Sequence, residues 1–355
     1  GTPIAGFGGV SNPVRLAETY RRVARILNNA KGRKLTSVEA CLILDESSLA
    51  VVAGNVRRSA GMRQFSQDDA AAAVAKDNLW VCDSEGQWKI DPERDALRMA
   101  NHTRVFHRRP SLAEVTDSVR KQFESGEGAI QYAPEAIARS NADVLDSLSA
   151  RRSFISTYED DPEAARAMLS HVSGDVGREL DHRMHRYGLN PCGEILGKDF
   201  HCNLSEVHLN TLDPEDLDAQ RRAFQAGALA AGALLHHKFV EERYQYSREQ
   251  DPIVGVSFTG LFDFCVNKWG AEWLRWWSLG RPFKTEFHDF ILGEARLLEF
   301  WKGVVKETLE AYCAKHGLKM PNRYTTVQPA GTKSLLTGES PGGHPPKSAR
   351  FIRRT

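Results

Sequence analysis

Three features of the 355-residue chain predict an α/β fold. Helical apolar periodicity alternates with short strand-like runs, helix-start signals recur between them, and no Pro/Gly/Ser-rich linker interrupts the order. Asn12 is placed to cap a helix with Pro13 at its first position, and Leu16, Tyr20, Val23 and Leu27 form one apolar stripe. The runs at 41–45 and 49–53 fit strands and buried helix segments equally, because periodicity does not decide between them. Residues 78–83 read as a strand, with Gly86 in the turn that follows. Ser111 and Glu114 make a capping box ahead of a helix with Leu112, Val115, Val119 and Phe123 on one face. Asp213 and Pro214 open a helix expected to reach about Val240. Its centre, 226–235, is apolar nearly all round, as in a buried helix. Residues 254–259 are strand-like. Thr285 starts another long helix, with Gly317 at its C′ position. Without a linker, residues 1–355 read as one domain.

Composition narrows the function. Lys and Arg number 47 against 46 Asp and Glu, a net charge of +1. That balance argues against a general electrostatic grip on nucleic acid or an anionic membrane, though not against a local basic pocket. No apolar run approaches the ~20 residues of a membrane span. The first residues carry neither a basic nor an apolar leader region, so no signal peptide is expected. Six cysteines are too sparse for a disulfide scaffold, which points to the reducing cytoplasm and to cysteines that act by chemistry.

The most informative stretch is Asn190-Pro191-Cys192-Gly193-Glu194-Ile195, followed by His201-Cys202-Asn203-Leu204. Pro191 pushes Asn190 away from the α region. An extended backbone would place Asn190, Cys192 and Glu194 on one side, spanning about 13 Å at roughly 3.3 Å per residue. An amide, a thiol and a carboxyl would then meet something the size of a sugar ring, with Gly193 leaving room for close approach. Other readings stand beside this one. Cys192 fits a buried small hydrophobe. Cys192, His201 and Cys202 fit a metal site poorly, since ten residues separate the cysteines and no C-x2-C pair exists. The cysteines also fit a simple redox disulfide.

The segment resembles the active-site finger loop of ribonucleotide reductase catalytic subunits. Gly1-Thr2-Pro3-Ile4-Ala5-Gly6 resembles a substrate-side loop of the same family. Residues 51–60 (VVAGNVRRSA), Gln328-Pro329-Ala330-Gly331-Thr332-Lys333-Ser334 and Ser340-Pro341-Gly342-Gly343-His344-Pro345-Pro346 are similar to the adenosylcobalamin-dependent class II enzymes, above all the triphosphate-reducing type. The resemblance runs from end to end.

It implies a ten-stranded α/β barrel of two parallel halves, with a central finger loop carrying Cys192. It implies that Cys192 becomes a thiyl radical and takes the 3′ hydrogen of a ribonucleotide. Glu194 would accept the 3′-hydroxyl proton, Asn190 would hold the ribose hydroxyls, and Cys202 would be one of two thiols that reduce the 2′ carbon. Ala330, Gly331, Thr332 and Ser334 become binders of the substrate phosphates, a role suited to small residues ahead of an apolar run. Lys333 departs from the apolar residue expected there, and either a phosphate contact or a solvent position fits it. Asn55, Arg57 and Arg58 fall where the family places a specificity loop linking effector to substrate base. Trp269, Trp273, Trp276 and Trp277 fit an amphipathic helix face and are read as packing. Cys41, Cys82, Cys265 and Cys313 match no family position and are read as core or surface residues.

The implied cofactor is adenosylcobalamin, with no metal ion. The implied partners are a ribonucleotide, a deoxynucleotide effector, a thioredoxin-like reductant and the remainder of the enzyme. The family's early strands, the partner of Cys202 and the C-terminal cysteine pair have no counterpart here, so the chain reads as a central fragment or one piece of a split enzyme. A class I large subunit and a non-catalytic nucleotide-binding piece are the alternatives.

Overall fold

A computed structural model describes residues 12–51, 60–171 and 176–345. Contacts group the chain into two compact units, one running to His171 and resuming at Tyr187–Gly193, the other taking Val172–Arg186 and the chain from Glu194 onward.

In the first unit α1 (Pro13–Asn29) starts as the sequence predicts, with the Asn12 side chain accepting from Arg15 N at 3.1 Å. Its apolar stripe is not buried: Leu16, Tyr20 and Leu27 are exposed. Helix α1 meets α2 (Ser37–Ala50) through polar contacts instead. Thr19 Oγ1 donates to Glu46 O at 3.3 Å, and Arg22 pairs with Glu46 at 2.9 Å. Helix α2 settles the run at 41–45 in favour of helix and takes in the start of the run at 49–53, whose last two residues lie outside the described residues.

Strand β1 (Gly61–Ser66) and the short α3 (Ala70–Ala73) precede an antiparallel hairpin, β2 (Trp80–Cys82) with β3 (Trp88–Ile90), turned at Gly86. Then β4 (Ala100–Phe106), α4 (Leu112–Ser125) and β5 (Ala129–Tyr132) complete a parallel sheet in the order β1-β4-β5, with α4 as the crossover. The capping box at Ser111 and Glu114 forms as expected. The apolar face of α4 is again outward, with Leu112, Val119 and Phe123 exposed, while buried Ser118 donates to Gly128 O. Helices α5 (Ala133–Ser140), α6 (Leu148–Asp160) and α7 (Pro162–Ala167) follow, and the two-residue β6 (Gly188–Leu189) returns to this unit.

The second unit holds α8 (Val176–Arg183), β7 (Leu196–Gly197), β8 (Leu204–His208), α9 (Leu217–Ala233), α10 (Glu242–Gln250), β9 (Ile253–Thr259), α11 (Leu261–Trp269), α12 (Ala271–Ser278), α13 (His288–His316) and β10 (Arg323–Thr325). Its parallel sheet runs β10-β9-β8. The helix expected over 213–240 is shorter: Asp216 caps it, and it tightens into a 3-10 turn at Leu234–His236. Only one face of it is buried, carrying Phe224, Ala228, Ala231 and Gly232, while Leu229 and Leu234 are exposed. That face approaches its neighbours through glycines. A Cβ at Gly227 would lie 3.3 Å from Val256 Cγ1, and one at Gly232 would lie 3.0 Å from Leu309 Cδ2.

Helix α13 ends at Gly317 with φ +64°, as predicted. The four tryptophans pack into or against the core. They lie on two helices rather than one, because Gly270 at φ +74° separates α11 from α12. Among the described residues no helix is long and apolar enough to cross a membrane.

Trp301 sits at the centre of this core. It stacks on Phe224 at 5.1 Å, and its Nε1 donates to the fully buried Gln220 at 3.0 Å. Trp301→Ala is expected to lower unfolding free energy by about 3–5 kcal/mol, read from equilibrium urea unfolding. A loss below about 1 kcal/mol would contradict this packing.

Candidate active site

The two units carry different candidate residues. In the first, parallel pairing puts Met62, Gln64, Asn101, Thr103 and Gln131 on one face of the β1-β4-β5 sheet. Three amide side chains on that face hold the segment leading to Cys192. Gln64 and Gln131 both donate to Tyr187 O at 2.9 Å, Leu189 N donates to Gln64 Oε1 at 2.8 Å, and Asn101 donates to Pro191 O at 2.6 Å.

The segment does not run extended. Gly193 N donates to Asn190 O at 2.9 Å, closing a tight turn with Pro191 at its second position and Gly193 at φ +77°. The expected alternation of Asn190, Cys192 and Glu194 on one side is therefore replaced by a turn. Asn190 is buried, whereas Cys192 is exposed and the space around Gly193 is open. A cleft lined by Lys76, His102 and Lys121 among others belongs to the same unit. His102, Arg104 and Ile130 lie on the other face of the sheet, so the cleft is separate from the Gln64–Asn101–Gln131 set.

In the second unit β8 and β9 divide their labour by face. Val207 and Val256 join the apolar core, while Glu206, His208, Ser257 and Thr259 alternate with them. Those polar positions hold the 328–342 segment. Gln328 N donates to Ser257 Oγ at 2.9 Å, Lys333 Nζ lies 3.1 Å from the buried Glu206 carboxylate, and Gly342 N donates to Thr259 Oγ1 at 2.9 Å. His208 Nδ1 lies 2.6 Å from Glu339 Oε1. Burial pushes the Glu339 carboxyl up, against the opposing pull of Thr337 and His208. Asp263 accepts from both the amide and the hydroxyl of Ser340.

Lys333 is exposed, which fits the solvent position, and it also pairs with Glu206 and donates to Gln328. Of the residues expected to bind phosphate, Gly331 and Thr332 are exposed, Ala330 and Ser334 are buried, and Ser334 N donates to Ala330 O at 3.1 Å. Ala330 has φ +50°, a conformation costing roughly 1–2 kcal/mol for a residue with a Cβ.

Glu194 opens this unit's second segment. Its carbonyl accepts from Thr326 Oγ1 at 3.1 Å, and its Oε2 is buried with no hydrogen-bond partner among the described residues. Cys202 is half-buried just ahead of β8, and Asn203 anchors that point by donating to Ile253 O at 3.0 Å. Beneath lies an ionic cluster. Asp251, 2% exposed, takes Arg186 at 2.6 Å and also Arg323, whose other terminal nitrogen donates to Leu196 O. Burial disfavours the Asp251 charge, and Arg186 and Arg323 more than offset this, so its carboxyl titrates below the usual range.

Asn55, Arg57 and Arg58 lie outside the described residues. Cys265 and Cys313 are buried core thiols, both pushed up by burial. Cys41 is half-buried and Cys82 exposed. Sequence reasoning missed Gln64, Asn101, Gln131, Glu206, His208 and Thr326. They lie on, or just beyond, short strands of mixed composition, where no local sequence signal sets them apart.

The fold is that of a class II ribonucleotide reductase. A crystal structure of a B12-dependent (class II) ribonucleotide reductase superposes with a TM-score of 0.63 at 21% identity, covering 97% of this chain and 42% of that one. In sequence the chain is similar to adenosylcobalamin-dependent ribonucleoside-triphosphate reductases. It is 28% identical to that of Lactobacillus leichmannii over 366 residues, and 27% identical to that of Levilactobacillus brevis over 354. These alignments take in 100% and 96% of the chain, and the chain spans 42% and 40% of those relatives. No family model matches the sequence.

Asp251 yields a pH prediction. A carboxylate whose folded-state value is depressed adds stability above its unfolded value of about 3.9, and that stability is lost as pH falls through the folded value. Asp251→Asn should cost about 3–5 kcal/mol at neutral pH. The gap from wild type should narrow below about pH 4. Urea unfolding at both pH values reads this, and a pH-independent gap would contradict it.

Proposed function

We propose that this chain is the catalytic core segment of an adenosylcobalamin-dependent ribonucleotide reductase that reduces ribonucleoside triphosphates to 2′-deoxyribonucleotides. The carrying observation is Glu194. A buried carboxylate oxygen to which the described chain supplies no donor is an acceptor for a donor from outside, and a substrate hydroxyl is such a donor. The fold and the similarity of the whole chain to ribonucleoside-triphosphate reductases support the reading.

Cys192 takes the 3′ hydrogen as a thiyl radical. Glu194 receives the 3′-hydroxyl proton, which becomes more acidic beside the radical, and Asn190 holds the ribose hydroxyls. The 2′-hydroxyl leaves as water while Cys202 and a second thiol pass to a disulfide, which a thioredoxin-like protein reduces again. Ala330, Gly331, Thr332 and Ser334 serve the phosphates. Asn55, Arg57 and Arg58 relay a deoxynucleotide effector to the base. The barrel of ten strands is completed by the remainder of the enzyme.

The exposed thiol of Cys192 and the open space at Gly193 fit a bulky cofactor that must reach the sulfur from outside. When bound, adenosylcobalamin supplies radical chemistry that side chains alone do not. This protein's residues supply orientation, a proton acceptor and a shielded carboxylate.

In the full-length protein, Cys192→Ser should abolish reduction while nucleotide binding survives, because a hydroxyl holds its hydrogen too strongly to replace a thiol. Substantial residual turnover would refute the radical role. Glu194→Gln should leave the unfolding midpoint unchanged and slow turnover by ~10²–10⁴-fold. Near-normal rates in that variant would remove Glu194 as the proton acceptor.

A further inference from the structure

We propose that Thr326 and Arg323 are positioning residues that fix the direction of the Glu194 carboxylate through its main chain. This deepens the proposed function and rests on the reading of Glu194 as proton acceptor. Thr326 Oγ1 donates to Glu194 O at 3.1 Å, and Arg323 donates to Leu196 O. The two bonds bracket Ile195, which is buried. A Cβ built at Gly255 of β9 would lie 3.6 Å from Ile195 Cδ1 and 2.9 Å from Thr326 Cγ2. The missing side chain at Gly255 thus lets both groups settle against β9.

The Glu194 carboxylate is not oriented by its own contacts, since Oε2 is buried without a hydrogen-bond partner among the described residues. Its aim is inherited from the backbone. That backbone is held by residues with firm anchors of their own. Thr326 N donates to Val256 O at 3.1 Å, and Arg323 is locked by Asp251, itself held by the fully buried Arg186. Two residues beyond Thr326, Gln328 N is bound to Ser257 Oγ at 2.9 Å. One stretch, 323–328, therefore fixes both the main chain carrying Glu194 and the start of the phosphate loop. The distance between base and phosphates is built into a single element.

Removing the Thr326 hydroxyl while keeping its shape isolates this bond. In the full-length enzyme, Thr326→Val should lower kcat by up to ~10²-fold, the cost of a small misplacement of a reacting group. KM, nucleotide affinity and the unfolding midpoint should stay at wild-type values, and the acid limb of the kcat–pH profile should move. Thr326→Ser should restore kcat and the profile. Arg323→Lys keeps a cation beside Asp251 but cannot grip two acceptors as a fork, so it should show the same loss of kcat and the same shift of the pH profile, together with a lowered unfolding midpoint. That variant serves as the independent probe if Thr326→Val does not fold. Wild-type kcat and pH profile in Thr326→Val, with Glu194→Gln impaired, would overturn the positioning role and leave the base assignment standing. Normal turnover in Glu194→Gln would overturn both. A raised KM at unchanged kcat, or no rescue by serine, would assign Thr326 to general packing and overturn the proposal.

Discussion

A carboxylate buried away from water needs partners of opposite charge, and Asp251 has two. That requirement organises the second unit. Arg186 brings in the end of the α8 segment, and Arg323 brings in β10. Because its guanidinium presents several donors in a rigid fork, Arg323 also reaches the Leu196 carbonyl. One buried charge thus ties together the chain before the Asn190–Gly193 turn, the chain after it and the strand that leads toward residues 328–334. Such a cluster adds little net stability over an apolar core. What it adds here is a fixed place for the backbone between Glu194 and Leu196.

Both parallel sheets follow one rule. In each, polar side chains on one face of the strands hold irregular chain. In the first unit, amide side chains on the sheet accept and donate to the main chain at 187–191. In the second, hydroxyls and carboxylates on β8 and β9 hold 328–342. Loops that carry chemistry gain precision when their polar backbone groups are satisfied by a rigid scaffold. Few of these supporting side chains would touch a substrate.

Much of this was legible in the sequence where the signal is local. The capping box at Ser111 and Glu114, the turn at Gly86, the strand at 254–259 and the stop at Gly317 all follow from short-range chemistry. The sequence singles out Asn190, Cys192 and Glu194 as a candidate site, yet their backbone was read as extended. Pro191 does bias Asn190 away from helix, but Gly193 at positive φ closes a turn that alternation does not reveal. The apolar stripes of α1 and α4 show the opposite limit. Periodicity locates an apolar face without saying what covers it, and here Leu16, Tyr20, Leu112 and Phe123 lie exposed. Thr326, Arg323 and Asp251 could not be found from spacing, because their partners lie roughly 70 to 130 residues away.

The account stands on the claim that these residues serve radical reduction of a ribonucleotide. The most direct measurement is deoxyribonucleotide formation by the full-length protein from a ribonucleoside triphosphate, a dithiol reductant and adenosylcobalamin. It is run in the dark, after illumination of the cofactor, and with the cofactor omitted. The account predicts one deoxyribonucleotide per disulfide formed in the dark, and no product in the other two conditions. Product formed equally without the cofactor, or nucleotide binding with no product in any condition, would contradict it.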